Sequence, residues 1–84
     1  VADRYWVGGA GNWNDTAKWS TSSGGAGGAS VPGAADNAIF DINSDTGTNF
    51  TATVNASFTI ANLTFTSVDR LITLGTAGNL TVTG

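Results

Sequence analysis

From Phe50 onward the chain is a series of short threonine-rich runs in which apolar and hydroxyl side chains take turns. Ile60-Ala61-Asn62-Leu63-Thr64-Phe65-Thr66 is answered by Thr76-Ala77-Gly78-Asn79-Leu80-Thr81-Val82-Thr83. A period of two puts Leu63 and Phe65, or Leu80 and Val82, on one face of an extended strand and threonine on the other. Aligning Asn62 with Asn79 sets Asn-Leu-Thr-Phe-Thr over Asn-Leu-Thr-Val-Thr, 17 residues further along. A strand motif returning at that spacing predicts stacked coils of a short or incomplete β-solenoid. Asn62, Leu63, Phe65, Asn79, Leu80 and Val82 would be its repeat ladder. Asn62 and Asn79 would stack there, satisfying backbone and amide groups from coil to coil.

The rest of the composition agrees with an all-β chain. Twelve glycines, abundant Thr, Ala, Asn and Ser, and no Glu, Gln, His, Cys or Met leave few helix formers outside alanine. Three Trp and four Phe argue against a disordered linker. Eighty-four residues allow one domain with a small core, which buries only about 60% of the surface that its unfolded form exposes. Without Cys or His there is no disulfide and no thiolate, and the commonest zinc ligands are absent. Oligomerisation, or attachment to a longer chain, is the remaining source of stability. A start at Val-Ala-Asp-Arg shows no signal peptide, so the expectation is a processed product or a piece of something longer.

Net charge is −3, and the basic residues are Arg4, Lys18 and Arg70 alone. That is too few to neutralise the phosphates of a nucleic acid or to form a polybasic membrane patch. No apolar run approaches the roughly 20 residues that span a bilayer.

Residues 1–20 read as a Trp-rich segment, 21–36 as a Gly/Ser-rich loop and 37–84 as Thr-rich β-repeats. Arg4-Tyr5-Trp6-Val7 predicts a short strand ended by Gly8-Gly9, and Ala10-Gly11-Asn12 a turn. Asn14 to Trp19 can hold one helical turn with Asn14 or Asp15 as its N-cap. Ser20 to Ser30 reads first as a flexible loop, and second as an ordered loop in which glycine brings backbone close to another surface. It lacks the Lys-Ser/Thr of a P-loop and the spacing of a dinucleotide fingerprint. Val31-Pro32-Gly33 is a turn. Strands are then expected at Asn37–Asp41, Phe50–Val54, Phe58–Thr66, Leu71–Leu74 and Leu80–Thr83.

Trp6, Trp13 and Trp19 admit two roles. They can plug the open end of a solenoid, which otherwise exposes apolar side chains and unpaired edges, or they can form a sugar-stacking platform. The plug is favoured because a solenoid needs a cap, and Phe40 joins the indoles as a cap or interface candidate. Asp41-x-Asn43-x-Asp45 resembles the start of a calcium loop, but Thr46 and Ala52 stand where an EF-hand needs Gly and Glu. Asx turns account for those residues, and no metal or cofactor is expected. Asn14, Asn49, Asn55, Asn62 and Asn79 all match the glycosylation acceptor, as composition alone would produce. The six Asp are scattered through turns without a His, Cys or Glu to activate a nucleophile, so no enzyme and no catalytic residue is expected.

Tyr5-Trp6-Val7-Gly8-Gly9, Gly11-Asn12-Trp13, Asp15, Ala17-Lys18-Trp19, Val31-Pro32-Gly33, Asp36 and Ile39-Phe40-Asp41 together resemble a motif of repetitive surface proteins. Such motifs precede Thr-rich β-repeats in bacterial autotransporter-type adhesins and in structural proteins of marine tailed bacteriophages. Ser22 to Pro32 is closest in character to the phage proteins. The resemblance covers about residues 4 to 41, and this chain carries fewer repeats than such proteins usually do. It implies a non-enzymatic structural protein at a virion surface, a head decoration or fibre component acting as a homo-oligomer with other virion or surface proteins. A fragment of a secreted bacterial adhesin at the cell surface, or a carbohydrate-binding module with glycan partners, are the alternatives. Neither nucleic acid nor membrane is an expected partner.

Overall fold

The computed structural model describes residues 2–84. Among the described residues nine short strands and one 3-10 turn make an all-β fold of three small, open sheets. In chain order the strands are β1 (Asp3–Trp6), β2 (Gly11–Asn12), β3 (Trp19–Ser20), β4 (Asn37–Phe40), β5 (Phe50–Val54), β6 (Phe58–Ile60), β7 (Asn62–Phe65), β8 (Ile72–Thr76) and β9 (Leu80–Val82). The sheets run β3-β1-β4-β7, β2-β5-β8 and β6-β9. Every pairing is parallel except that of β1 with β3.

Parallel strands need a long crossover, so the register shows how much chain each crossover takes. Phe50 pairs with Ile72 and Phe58 with Leu80, a step of 22 residues in two different sheets. Asn37 pairs with Asn62. The 17-residue repeat is therefore corrected. Asn62 lies in β7, beside Asn37, whereas Asn79 precedes β9 in another sheet and its carbonyl accepts from the Phe58 amide at 2.8 Å. The ladder that forms instead runs Asp3–Asn37–Asn62. Asn37 Nδ2 donates to Asp3 Oδ1 at 2.9 Å, and Asn62 Nδ2 donates to Asn37 Oδ1 at 2.8 Å.

Alternation sorts the side chains as a pleated strand must. In β4, β5 and β6 the inward residues Ala38, Phe40, Ala52, Val54 and Ile60 are buried, with Phe50 nearly so. Threonine takes the other face, where Thr51 lies beside Thr73 and Thr59 beside Thr81. The stretch expected as one strand from Phe58 to Thr66 is broken at Ala61, which separates β6 from β7. There the chain turns from one sheet into the next. Gly11–Asn12, expected as a turn, pairs with Ala52 and Thr53 as β2.

The 3-10 turn spans Thr16–Lys18, and Asp15 caps it by accepting from the Ala17 amide at 3.0 Å. The Gly/Ser-rich loop is laid against this turn rather than free. The Gly28 amide donates to the Thr16 carbonyl at 2.8 Å, and the Ala29 amide to the Trp19 carbonyl at 3.0 Å. Gly27 sits so close to the Ala17 carbonyl that any Cβ would overlap it. Of the two readings of this loop, the close-approach one describes it.

Candidate interaction surface

The three indoles are fully buried. Trp6 meets Trp19 edge-on with ring centroids 5.1 Å apart, and Trp13 meets Trp19 at 4.8 Å. Edge-to-face contact suits the aromatic quadrupole. Ala38 and Ala52, also fully buried, contribute only a methyl each and leave room for these rings. Trp6 Nε1 donates to the Gly9 carbonyl and Trp19 Nε1 to the Trp13 carbonyl, both at 2.7 Å. Trp13 Nε1 is buried without a partner. No indole presents a face on which a sugar could stack, so the stacking platform is corrected: the residues that suggested it are core.

From Trp6 an aromatic column crosses the first sheet. Trp6 stacks on Phe40 at 5.4 Å, and Phe40 stacks on Phe65 at 5.0 Å with an interplanar angle of 14°. Phe65 is 46% exposed, whereas Phe40 is wholly buried. The same contrast recurs between neighbouring strands. Phe50, Ala52 and Ile60 are covered, while their partners Ile72 and Leu74 are half-buried and Val82 is exposed. Among the described residues β7, β8 and β9 are each the last strand of their sheet. A cleft of about 420 Å³ opens beside β8 and β9, lined by Val54, Leu74, Thr76, Gly78, Asn79 and Leu80. The half-buried and exposed apolar side chains of these outer strands are the candidate surface. It gathers the predicted ladder residues Leu63, Phe65, Leu80 and Val82, but through β7 and β9 as edges of separate sheets. Asn62 belongs to the polar ladder, and Asn79 to the cleft.

Asp41 and Asp45 serve turns. Asp41 Oδ1 accepts from the Asn43 amide at 3.0 Å, and its Oδ2 accepts from Ser23 Oγ at 2.6 Å. Asp45 Oδ1 accepts from the Gly47 amide at 2.7 Å. The calcium-like stretch is thus built from Asx turns. Among the described residues no group of three His, Cys, Asp or Glu is placed to hold a metal ion. Asp36 joins distant segments: its Oδ2 accepts from the Gly33 amide at 2.8 Å and its Oδ1 from the Ala2 amide at 3.1 Å. The Gly33 hydrogen bond chiefly holds its carboxyl below the ordinary carboxylate value. Partial burial opposes this, and the Ala2 amide and the charge of Arg4 assist it. Sequence reading did not single out Asp36 for this role, although its place just after Pro32-Gly33 marks a turn carboxylate.

Among the described residues no helix is long and apolar enough to cross a membrane. No family model, no curated protein and no solved structure matches the chain.

Proposed function

We infer that this is a short β-solenoid with a Trp-rich head, serving as a non-enzymatic structural protein at a virion surface. It acts there by assembly with copies of itself and with other surface proteins. The observation that carries the reading is the parallel pairing of successive strands in three ladders, with apolar side chains facing inward along them. A chain that wraps in this way presents building surfaces at its end and hydroxyl-rich faces at its sides. The burial of all three indoles in the core and the turn roles of Asp36, Asp41 and Asp45 support a structural reading. The phage-like order of Trp, Gly, Pro and Asp between residues 4 and 41 supplies the setting.

The test is immunogold electron microscopy with antibodies raised against the chain, on purified virions and on bacterial envelopes from its source. Regular labelling of heads or fibres is the expected result. Label confined to the bacterial envelope would replace the virion reading with the adhesin one.

A further inference from the structure

We propose that Asn14 is the N-glycosylation acceptor of this chain, taking a sugar from a donor activated as a diphosphate. What carries this is the turn that holds Asn14, not the solenoid arrangement or the virion setting.

Composition supplies five Asn-x-Ser/Thr triplets, and the fold separates them. A transferase has to reach the side-chain amide and the hydroxyl two residues on, so the triplet must lie at the surface and outside a paired strand. Asn62 stands in β7, and its Nδ2, the atom that would carry the sugar, donates to Asn37 Oδ1 at 2.8 Å. Asn55 Nδ2 is likewise engaged, donating to Asn14 Oδ1 at 2.9 Å, and the Asn55 Oδ1 is buried. Asn49 is exposed but leads straight into β5, where Phe50 is buried and Thr51 pairs with Thr73. Asn79 is exposed too, but its carbonyl accepts from the Phe58 amide and its hydroxyl residue, Thr81, pairs with Thr59.

Asn14 differs on each count. Asn14, Asp15 and Thr16 are all exposed. They follow β2 in a turn that the Asp15 amide closes by donating to the Asn12 carbonyl at 3.1 Å. Asn55 holds the Asn14 carboxamide through its Oδ1, and among the described residues Asn14 Nδ2 donates to no partner. The group is thus fixed at its oxygen and open at its nitrogen. Thr16 brings its hydroxyl at the start of the 3-10 turn, so no strand has to unpair to present the triplet. In the transfer, Asn14 Nδ2 attacks the anomeric carbon of the donor sugar. The nitrogen–carbon bond forms as the carbon–oxygen bond to the diphosphate breaks. The diphosphate leaves with the electron pair, and a base of the transferase takes one Nδ2 proton.

The three basic residues make the assignment readable. Trypsin, cutting after Arg4, Lys18 and Arg70, leaves Asn14 as the one acceptor on fragment 5–18, Asn79 on 71–84 and the other three on 19–70. Mass spectrometry of the chain purified from its source should show added sugar on 5–18 and none on the other two. An unmodified 5–18, or sugar on 19–70 or 71–84 to the same extent, overturns the proposal. Two incubations of the folded full chain identify the donor. One uses a soluble Asn-x-Ser/Thr glycosyltransferase with uridine diphosphate glucose, the other an oligosaccharyltransferase with a lipid-diphosphate oligosaccharide. The arm that modifies 5–18 names the donor class, Asn14→Gln should abolish that modification, and reaction in neither arm overturns the proposal. Five synthetic peptides, one for each triplet, give the unfolded reference. The triplets at Asn49, Asn62 and Asn79 should react at least about tenfold more slowly in the chain than as peptides, since a paired strand must open first. The Asn14 triplet should react alike in both, and equal rates for all five in chain and peptide would show that the fold makes no selection.

Discussion

Replacing each tryptophan by phenylalanine tests the account of the indole cluster, because the three sites are alike in burial and differ in hydrogen bonding. All three are wholly buried, so each substitution removes a similar volume and leaves a similar cavity. Trp6→Phe also removes the donor to the Gly9 carbonyl, and Trp19→Phe the donor to the Trp13 carbonyl. Each such bond contributes about 1 kcal/mol net, and a carbonyl left buried without a partner adds about 1 kcal/mol more. Trp13→Phe works in the opposite direction. Its Nε1 has no partner in the folded chain, so its removal relieves a desolvation cost of about 1 kcal/mol or more. Trp13→Phe should therefore be the mildest of the three, by about 2 kcal/mol or more. For a domain of this size a 2 kcal/mol difference corresponds to about 8–16 °C in melting temperature. Urea titration, followed by far-ultraviolet circular dichroism so that indole fluorescence is not needed, gives the same free-energy difference as the shift in midpoint multiplied by the common slope. Equal losses at the three sites, or the largest loss at Trp13, would refute the hydrogen-bond assignment.

Phe40→Ala should cost about 3–5 kcal/mol in a urea titration, because it empties the middle of the aromatic column. Phe65→Ala, at a ring with one side in solvent, should cost less than half of that. Gly27→Ala should detach the Gly/Ser-rich loop from the 3-10 turn, since its methyl would occupy the place of the Ala17 carbonyl; faster limited proteolysis between residues 20 and 30 is the measurement. The folded-state pKa of Asp36 lies below its ordinary value of 3.8, so folding favours the carboxylate. Its contribution is complete above that value and disappears as pH falls through the lower folded-state pKa. Asp36→Asn should thus narrow the difference in melting temperature between neutral and acidic solution, and an unchanged difference would count against the role given to Asp36.

The strands at Asn37–Phe40 and Phe50–Val54 are legible because alternation states both their existence and their inward faces. The Asp15 cap is legible for a similarly local reason, a short carboxylate placed just before one helical turn. Register is another matter. Asn62 and Asn79 share the letters Asn-Leu-Thr because each stands just before or at the start of a strand, where a polar residue suits the corner. The true partners Asp3, Asn37 and Asn62 share no common motif beyond a short side chain with an oxygen to offer. Parallel pairing depends on how far the chain travels around the molecule, and crossovers of unequal length hide that distance from any alignment of letters. β2 and β3 escaped for a simpler reason: two residues are too few for a period. The apolar residues of β7, β8 and β9 were legible by alternation, but not their place as the outer strands of three separate sheets, which depends on register.

The scarcity of antiparallel pairing bears on how this chain reaches its native state. Among the described residues only β1 and β3 join segments close in sequence; every other pairing waits for a loop of 22 residues or more to close. The entropy of closure grows only with the logarithm of length, so a 41-residue loop such as that joining Gly11 to Ala52 costs about 0.6 kcal/mol more than one of 22 residues. Insertions in the outer crossovers would therefore weaken the chain little at equilibrium. They would instead slow its acquisition of structure, since long-range contacts must form before any of them is rewarded.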